Sequence, residues 1–150
     1  MRLIKAGVVG VGKMGEYHVG VLSECPEVEL VGVADVNEHQ AEAIGKKYNV
    51  PWFTKPGDLF GSAEIVVISV PTGLHYSVAK QFLNSGIHVL LEKPCTNNLK
   101  DAEDLFGLAA RKNLILHIGH VERFNGAVQE LHKIVTAPLF VDCKRMGPYS

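Results

Sequence analysis

The run Val8-Val9-Gly10-Val11-Gly12-Lys13-Met14-Gly15 restricts the folds open to this chain more than any other stretch. It joins an apolar segment with strand character to a segment with helical spacing, and Asp35 follows at the end of a second apolar run. Each residue type meets a separate physical demand. Gly10 can take a tight turn off the strand in a conformation that a side chain resists. Gly12, without a Cβ, lets the backbone approach a pyrophosphate. Gly15 lets the helix pack closely on the strand, so that its free N–H groups and dipole face phosphate. Lys13 and Met14 lie inside the same turn. The Asp35 carboxylate can accept the two hydroxyls of an adenosine ribose and would repel a 2′-phosphate, so the pattern favours NAD over NADP. Asn37 and Lys46, close to the acid in sequence, are the residues that could adapt to a 2′-phosphate. A tight strand-to-helix turn with no ligand is the plain alternative.

The alternation of segments extends the argument from a turn to a fold. Strands are expected over Leu3–Val9, Val28–Ala34, Pro51–Phe53, Glu64–Val70, Ile87–Leu91 and Leu114–Ile118. Between them, helical spacing places Met14, Tyr17, Val21, Leu22 and Cys25 on one face, ending at Pro26. A second face carries Ala41, Ile44 and Tyr48 behind an Asn37–Gln40 capping box. A third helix starts near Thr72 with Leu74, Val78, Phe82 and Leu83, and Gly86 serves as its left-handed stop. The fourth begins at Asn98 with Leu99, Ala102, Leu105, Phe106 and Ala109. Strands alternating with helices predict an α/β fold, a doubly wound parallel sheet of the Rossmann type. Right-handed crossovers bring every strand's C-terminal end to one edge. That edge would gather Gly10–Gly15, Asp35, Val70–Thr72, Glu92–Pro94 and Gly119–Arg123.

After this sheet the pattern changes. Phe124, Ala127, Val128, Leu131 and Val135 suggest another helix closed by Pro138, and Leu139–Met146 reads as a further strand. The expected organisation is a dinucleotide-binding domain over 1–137 and the first strand of a truncated α/β domain over 138–150.

Composition excludes several classes. With 15 basic and 16 acidic residues spread along 150 positions, the chain has no basic face for nucleic acid or an anionic membrane. No apolar run approaches bilayer-spanning length. Arg2 and Lys5 precede an apolar segment, but Gly7, Gly10 and Gly12 interrupt it and no small-residue cleavage pattern follows, so it does not read as a secretory signal. Cys25, Cys95 and Cys143 form neither an even set nor a metal-type spacing and read as reduced thiols, with the cytoplasm as the expected compartment. His18, His39, His88, His117 and His132 lack a paired ligand pattern, so no metal is expected.

Five motifs in order, Gly10–Gly15 (GVGKMG), Val33–Asn37 (VADVN), Val70–His75 (VPTGLH), Leu91–Pro94 (LEKP) and Gly119–Asn125 (GHVERFN), resemble the N-terminal domain of the glucose–fructose oxidoreductase / inositol dehydrogenase / MocA (Gfo/Idh/MocA) family. The last motif looks most like members acting on nucleotide sugars, such as UDP-N-acetylglucosamine 3-dehydrogenases. The resemblance implies hydride transfer between a nicotinamide and a secondary alcohol of a sugar, nucleotide sugar or cyclitol. Lys93 matches the lysine beside the reacting hydroxyl, where a cation can hold the alcohol oxygen. Its neighbour Glu92 would favour the charged ammonium, so Lys93 is expected as electrostatic partner rather than sole base. Glu92 matches a contact near the nicotinamide ribose, and Pro94 a proline often preceded by a cis bond. Pro71 and Thr72 match a loop passing over the cofactor. His75 falls on the following helical turn, facing the same rim, and is carried as a cofactor contact against the reading of a cap or packed core group. Arg123, near His120, Glu122 and Asn125, is expected to bind a substrate phosphate or carboxylate; a salt bridge with Glu122 is the alternative. The family continues into an α/β domain carrying an Asp and a His, which covers the nicotinamide and mediates homo-oligomer formation. The 150 residues alone are therefore expected to bind NAD and to turn over substrate poorly. Two other classes share part of the pattern: a nucleotide-sensing domain, which does not need Glu-Lys-Pro, and a methyltransferase.

Overall fold

A computed structural model of the chain describes residues 2–142 and 144. It forms two units, residues 1–119 and residues 120–150.

The first unit is built on strands β1 (Ile4–Val9), β2 (Val28–Ala34), β3 (Trp52–Phe53), β4 (Ile65–Ile68), β5 (His88–Leu91) and β6 (Leu116–Ile118). They form one parallel sheet in the order β3-β2-β1-β4-β5-β6. Helices α1 (Lys13–Glu24), α2 (Glu38–Tyr48), α3 (Thr72–Asn84) and α4 (Leu99–Arg111) connect them. This is the doubly wound α/β architecture, and its order reverses between β1 and β4.

Strand periodicity decides which side chains meet which layer. In β4, Val66 and Ile68 face a core shared with Phe82, Leu83 and Leu105 of α3 and α4. Val67 faces the opposite layer with Val19 and Ile44 of α1 and α2. Alternation on a strand buried on both sides thus feeds two cores from one apolar run. All six expected strands form, each trimmed by no more than three residues.

The helical faces depart further from their apolar spacing. In α1 the buried positions are Gly15 and Val19, with Leu22 half-buried, while Met14, Tyr17 and Val21 are exposed. A Cβ on Gly15 would lie 1.8 Å from the Gly10 carbonyl oxygen, so the helix turns its smallest residue to the strand and its larger apolar residues outward. In α4, Leu105, Leu108 and Ala109 are buried, whereas Leu99 and Phe106 are exposed. The faces of α2 and α3 follow expectation at Ala41, Ile44, Val78, Phe82 and Leu83, with Leu74 exposed. Asn98 caps α4 by accepting from the Asp101 N–H at 2.9 Å, and Gly86 stands just past α3 at φ +79.

The second unit holds a 3-10 turn over Val121–Phe124 and helix α5 (Gly126–Ile134), with no buried residue in either. The strand expected over Leu139–Met146 is not formed at its described positions 139–142 and 144, where no neighbouring strand supplies a ladder. Cys143 and positions 145 and 146 lie outside the described residues. No helix among them is long and apolar enough to cross a membrane.

Candidate active site

At the C-terminal edge of the sheet, where the strand order reverses, a cleft of about 570 Å³ opens beside the glycine turn. Gly10 leaves β1 at φ +80, and a Cβ there would press within 2.7 Å of the Ser69 backbone. Left-handed geometry and this close approach both demand glycine. The turn feeds directly into α1, whose N-cap is Gly12. No side chain caps that end, which leaves its first N–H groups turned to the cleft, and nothing lies within 4 Å of where a Gly12 Cβ would stand. A pyrophosphate could reach the helix end there without meeting a side chain.

Asp35 is fixed before any ligand arrives. Its Oδ2 accepts the Val11 N–H at 2.8 Å and its Oδ1 accepts the Asn37 N–H at 2.9 Å. A carboxylate offers about four acceptor sites, so two backbone bonds leave capacity for ribose hydroxyls. The Asn37 side chain accepts the Gln40 N–H at 3.3 Å, as a helix cap should. Gln40 does not complete the expected capping box. Its amide instead donates to the Val11 carbonyl at 2.8 Å, because Asp35 already holds the Asn37 N–H. Val11, between Gly10 and Gly12, is therefore held at its N–H by Asp35 and at its carbonyl by Gln40.

Of the residues singled out from sequence, Gly10, Gly12, Lys13, Met14, Asp35 and Pro71 line the cleft. Gly15 lies behind it as the helix–strand contact. Pro71 is the N-cap of α3, and Thr72 is its first residue. Val36, Pro56, Ser69 and Leu74, to which sequence reasoning gave no part in the site, join Val9, Ala34, Val70 and Val78 in the rest of the wall. Val36 (83% exposed) and Leu74 (47%) are apolar side chains left facing solvent at the cleft, a signal visible only once burial is known.

Glu92, Lys93 and Pro94 follow β5. Glu92 is 7% exposed. Its Oε1 accepts from His18 Nε2 at 2.8 Å, and its Oε2 accepts the Lys93 N–H at 3.1 Å. The carboxylate thus turns to α1 and to the backbone of Lys93. The side chain of Lys93 is exposed, and no carboxylate among the described residues forms an ion pair with it. The Lys93–Pro94 peptide is cis. His18 was given no role from sequence; 74 positions separate it from Glu92, and no local pattern links them.

His75 does not line the cleft. It is 1% exposed, with Nδ1 2.8 Å from the Pro94 carbonyl and Nε2 2.9 Å from the Val70 carbonyl. Its polar atoms are therefore spent on backbone, which leaves none for the direct cofactor contact expected from sequence. Burial pushes the thiol of neighbouring Cys95 up from its ordinary pKa. Arg123 belongs to the second unit, where its side chain is exposed and its carbonyl accepts from Gln129 at 3.0 Å. Among the described residues, no three His, Cys, Asp or Glu side chains cluster to hold a metal ion.

Comparisons with known proteins identify the family and the fold. Residues 4–120 match the model of the oxidoreductase family, NAD-binding Rossmann fold, named for Gfo/Idh/MocA. UDP-N-acetylglucosamine 3-dehydrogenase of Acidithiobacillus ferrooxidans is 31% identical over 147 residues, covering 97% of this chain and 46% of that protein. Glucose-6-phosphate 3-dehydrogenase of Bacillus subtilis is 30% identical over 131 residues, covering 87% and 37%. The solved structure of the A. ferrooxidans enzyme superposes with a TM-score of 0.84 at 32% identity, over 89% of this chain and 44% of the other. A structure of scyllo-inositol dehydrogenase from Lactobacillus casei, with bound NAD(H) and scyllo-inositol, gives 0.83 at 25% identity over 89% and 41%. The chain spans less than half the length of these relatives. A glycine turn clear at Gly12, an acid anchored at Asp35 and a family match across the whole sheet lead to one assignment: this chain belongs to the Gfo/Idh/MocA oxidoreductase family, as its NAD-binding Rossmann domain.

Proposed function

We propose that the protein carrying this chain is an NAD-dependent oxidoreductase that interconverts a secondary alcohol and a ketone on a sugar, nucleotide sugar or cyclitol. What supports the reading is an NAD-type cleft at the glycine turn together with an exposed Lys93, one residue beyond the buried Glu92, after the C-terminal end of β5 on the same edge of the parallel sheet. Bound NAD supplies the hydride acceptor at C4 of its nicotinamide. Gly12 and the open end of α1 hold the pyrophosphate, and Asp35 holds the adenosine ribose, favouring NAD over NADP. Glu92, kept in place by His18, faces the nicotinamide half. Lys93 donates to the alcohol oxygen and stabilises the negative charge that grows there as the C–H bond transfers its electron pair.

Glu92 answers to His18 rather than to the Lys93 ammonium, so it does not neutralise that charge. The hydroxyl proton passes to a base outside this chain, for which the family's Asp and His motif in the substrate domain is the proposed source. Homo-oligomer formation through that domain, a cytoplasmic setting and an Arg123 contact to substrate belong to the same proposal. Similarity to nucleotide-sugar and sugar-phosphate dehydrogenases supports a phosphorylated or nucleotide-linked sugar as substrate.

Two measurements test this. Calorimetric titration of the chain should give heat with NAD and weaker binding with NADP; no heat with either coenzyme rejects the reading. In the whole protein, assayed with UDP-N-acetylglucosamine and with glucose 6-phosphate, Lys93→Ala should lower kcat by about 10²- to 10⁴-fold, leaving the NAD dissociation constant within about threefold. An unchanged kcat removes Lys93 from the chemistry.

A further inference from the structure

The ladder through β4, β5 and β6 ends at Leu91 on the central strand. Its last links are the Glu92 N–H to the Ile68 carbonyl at 2.9 Å and the Gly119 N–H to the Leu91 carbonyl at 2.8 Å. The next amide, that of Lys93, has left the sheet, and Pro94 after it has no amide hydrogen to donate. The Lys93 N–H donates to a side chain instead, Glu92 Oε2 at 3.1 Å. The backbone that carries Lys93 is therefore held through a carboxylate. A carboxylate fixed at one oxygen alone can still turn about its last bond.

The other oxygen is fixed from a different layer. Oε1 meets Nε2 of His18, on the second turn of α1, at 2.8 Å, and the two side chains are only 19% (His18) and 9% (Glu92) exposed. Helix α1 is itself seated on β1 through the Gly15–Gly10 contact. On a third side Gly119 leaves room for the carboxylate, since a Cβ there would come within 3.1 Å of Oε1 and 3.3 Å of Oε2. The His18 bond asks for no particular charge on the ring. Imidazolium and one neutral tautomer both carry an Nε2–H, and a carboxylate accepts from either. The same helix presents its open N-terminus at Gly12 to the cleft. One side chain thus ties the helix at the phosphate end of the cleft to the segment bearing the lysine.

We propose that His18 is a positioning residue. By donating from Nε2 to Glu92 Oε1 it orients the carboxylate that holds the Lys93 amide, and so sets Lys93 in register with a cofactor held at the end of α1. The catalytic consequence rests on the NAD-dependent reading above; the hydrogen bond itself does not. His18 acts through Glu92 and not on the sugar. Its removal leaves Oε1 without that donor in a mostly buried place, so the carboxylate turns towards another. The Lys93 backbone follows it, while Gly12 and Asp35, which hold the pyrophosphate and the adenosine ribose, stay as they are.

The first measurement needs no variant. Long-range ¹H–¹⁵N spectra of the wild-type chain at neutral pH, with the ring of His18 assigned through its carbon-bound protons to the α1 backbone, should show hydrogen on Nε2. A bare Nε2 overturns the proposal. The second measurement is kinetic, in the whole protein with the two sugars named above. His18→Ala should lower kcat at least about tenfold, the scale on which a misplaced reacting group acts, with the NAD dissociation constant within about threefold of wild type. In a Lys93→Ala background the same change should cost less than about twofold more, because no lysine remains to be placed. An unchanged kcat in His18→Ala overturns the positioning role. So does a full loss repeated in the Lys93→Ala background, or a loss of NAD affinity in step with kcat, either of which marks a packing residue. Wild type that binds NAD but turns over neither sugar rejects the secondary-alcohol reading and the catalytic role built on it, with the spectrum still deciding the hydrogen bond.

Discussion

Two glycines three positions apart, Gly12 and Gly15, separate what the fold needs from what the ligand needs. An alanine methyl at Gly15 would stand 1.8 Å from the Gly10 carbonyl oxygen, where real Cβ atoms essentially never come closer than 3.0 Å. The obstacle is backbone and cannot rotate aside, so α1 must move off the strand by more than an ångström. Overpacking of this kind costs about 1–3 kcal/mol, and a clash with main chain belongs at the upper end. For a unit of this size that lowers Tm by about 10 °C. At Gly12 the same methyl meets nothing within 4 Å, and φ −65 suits alanine. Exchange at this N-cap position should cost about 1 kcal/mol at most. The methyl nevertheless enters the space through which a pyrophosphate reaches the helix end. Losing one charge-assisted hydrogen bond of about 1.5–3 kcal/mol weakens NAD by about ten- to a hundredfold. Differential scanning fluorimetry and calorimetry on Gly12→Ala and Gly15→Ala should therefore give opposite profiles: normal melting with poor binding, and poor melting. Wild-type NAD affinity in Gly12→Ala, or melting as depressed there as in Gly15→Ala, would refute the assignment of the phosphate path.

Asp35→Ala should weaken NAD and also lower the melting temperature of the free chain, because the Val11 and Asn37 N–H groups both lose their acceptor; an unchanged apo Tm would deny its structural share. On the opposite side of the sheet, Asp104 is held below the usual carboxylate range by its hydrogen bond from Lys80, then by that from Tyr76. Lys80 is raised correspondingly by Asp104 and Tyr76. The carboxylate's contribution is present above the unfolded value near about 3.9 and is lost as pH falls through the lowered native value. The ammonium's contribution is full below about 10.4 and is lost as pH rises through its raised value. Asp104→Asn should thus melt below wild type from about pH 4 to about pH 10 and converge with it in stronger acid. A constant gap in thermal melts down to strong acid would contradict the pairing.

The amino-acid sequence alone determined the sheet and the turn. Buried strands need runs rich in apolar residues, and the segments expected to end at Val9, Ala34, Val70 and Leu91 announce themselves because β periodicity and glycine punctuation are local properties. Gly10, Gly12 and Asp35 were legible for the same reason: each answers a demand of backbone geometry or charge at a fixed offset.

Only the tertiary structure decided what depends on partners distant in the chain. The inward face of α1 followed the Gly15–Gly10 contact rather than the apolar stripe through Met14, Tyr17 and Val21. Gln40 left its expected cap for the Val11 carbonyl because Asp35 had already taken the Asn37 N–H. His18 reached Glu92 across 74 positions, and His75 turned from the cleft to the carbonyls of Val70 and Pro94. Hydrogen-bond valence explains this division. A polar side chain commits its few donors and acceptors to whichever partners folding brings within about 3 Å, and nothing in its immediate sequence records who those partners are.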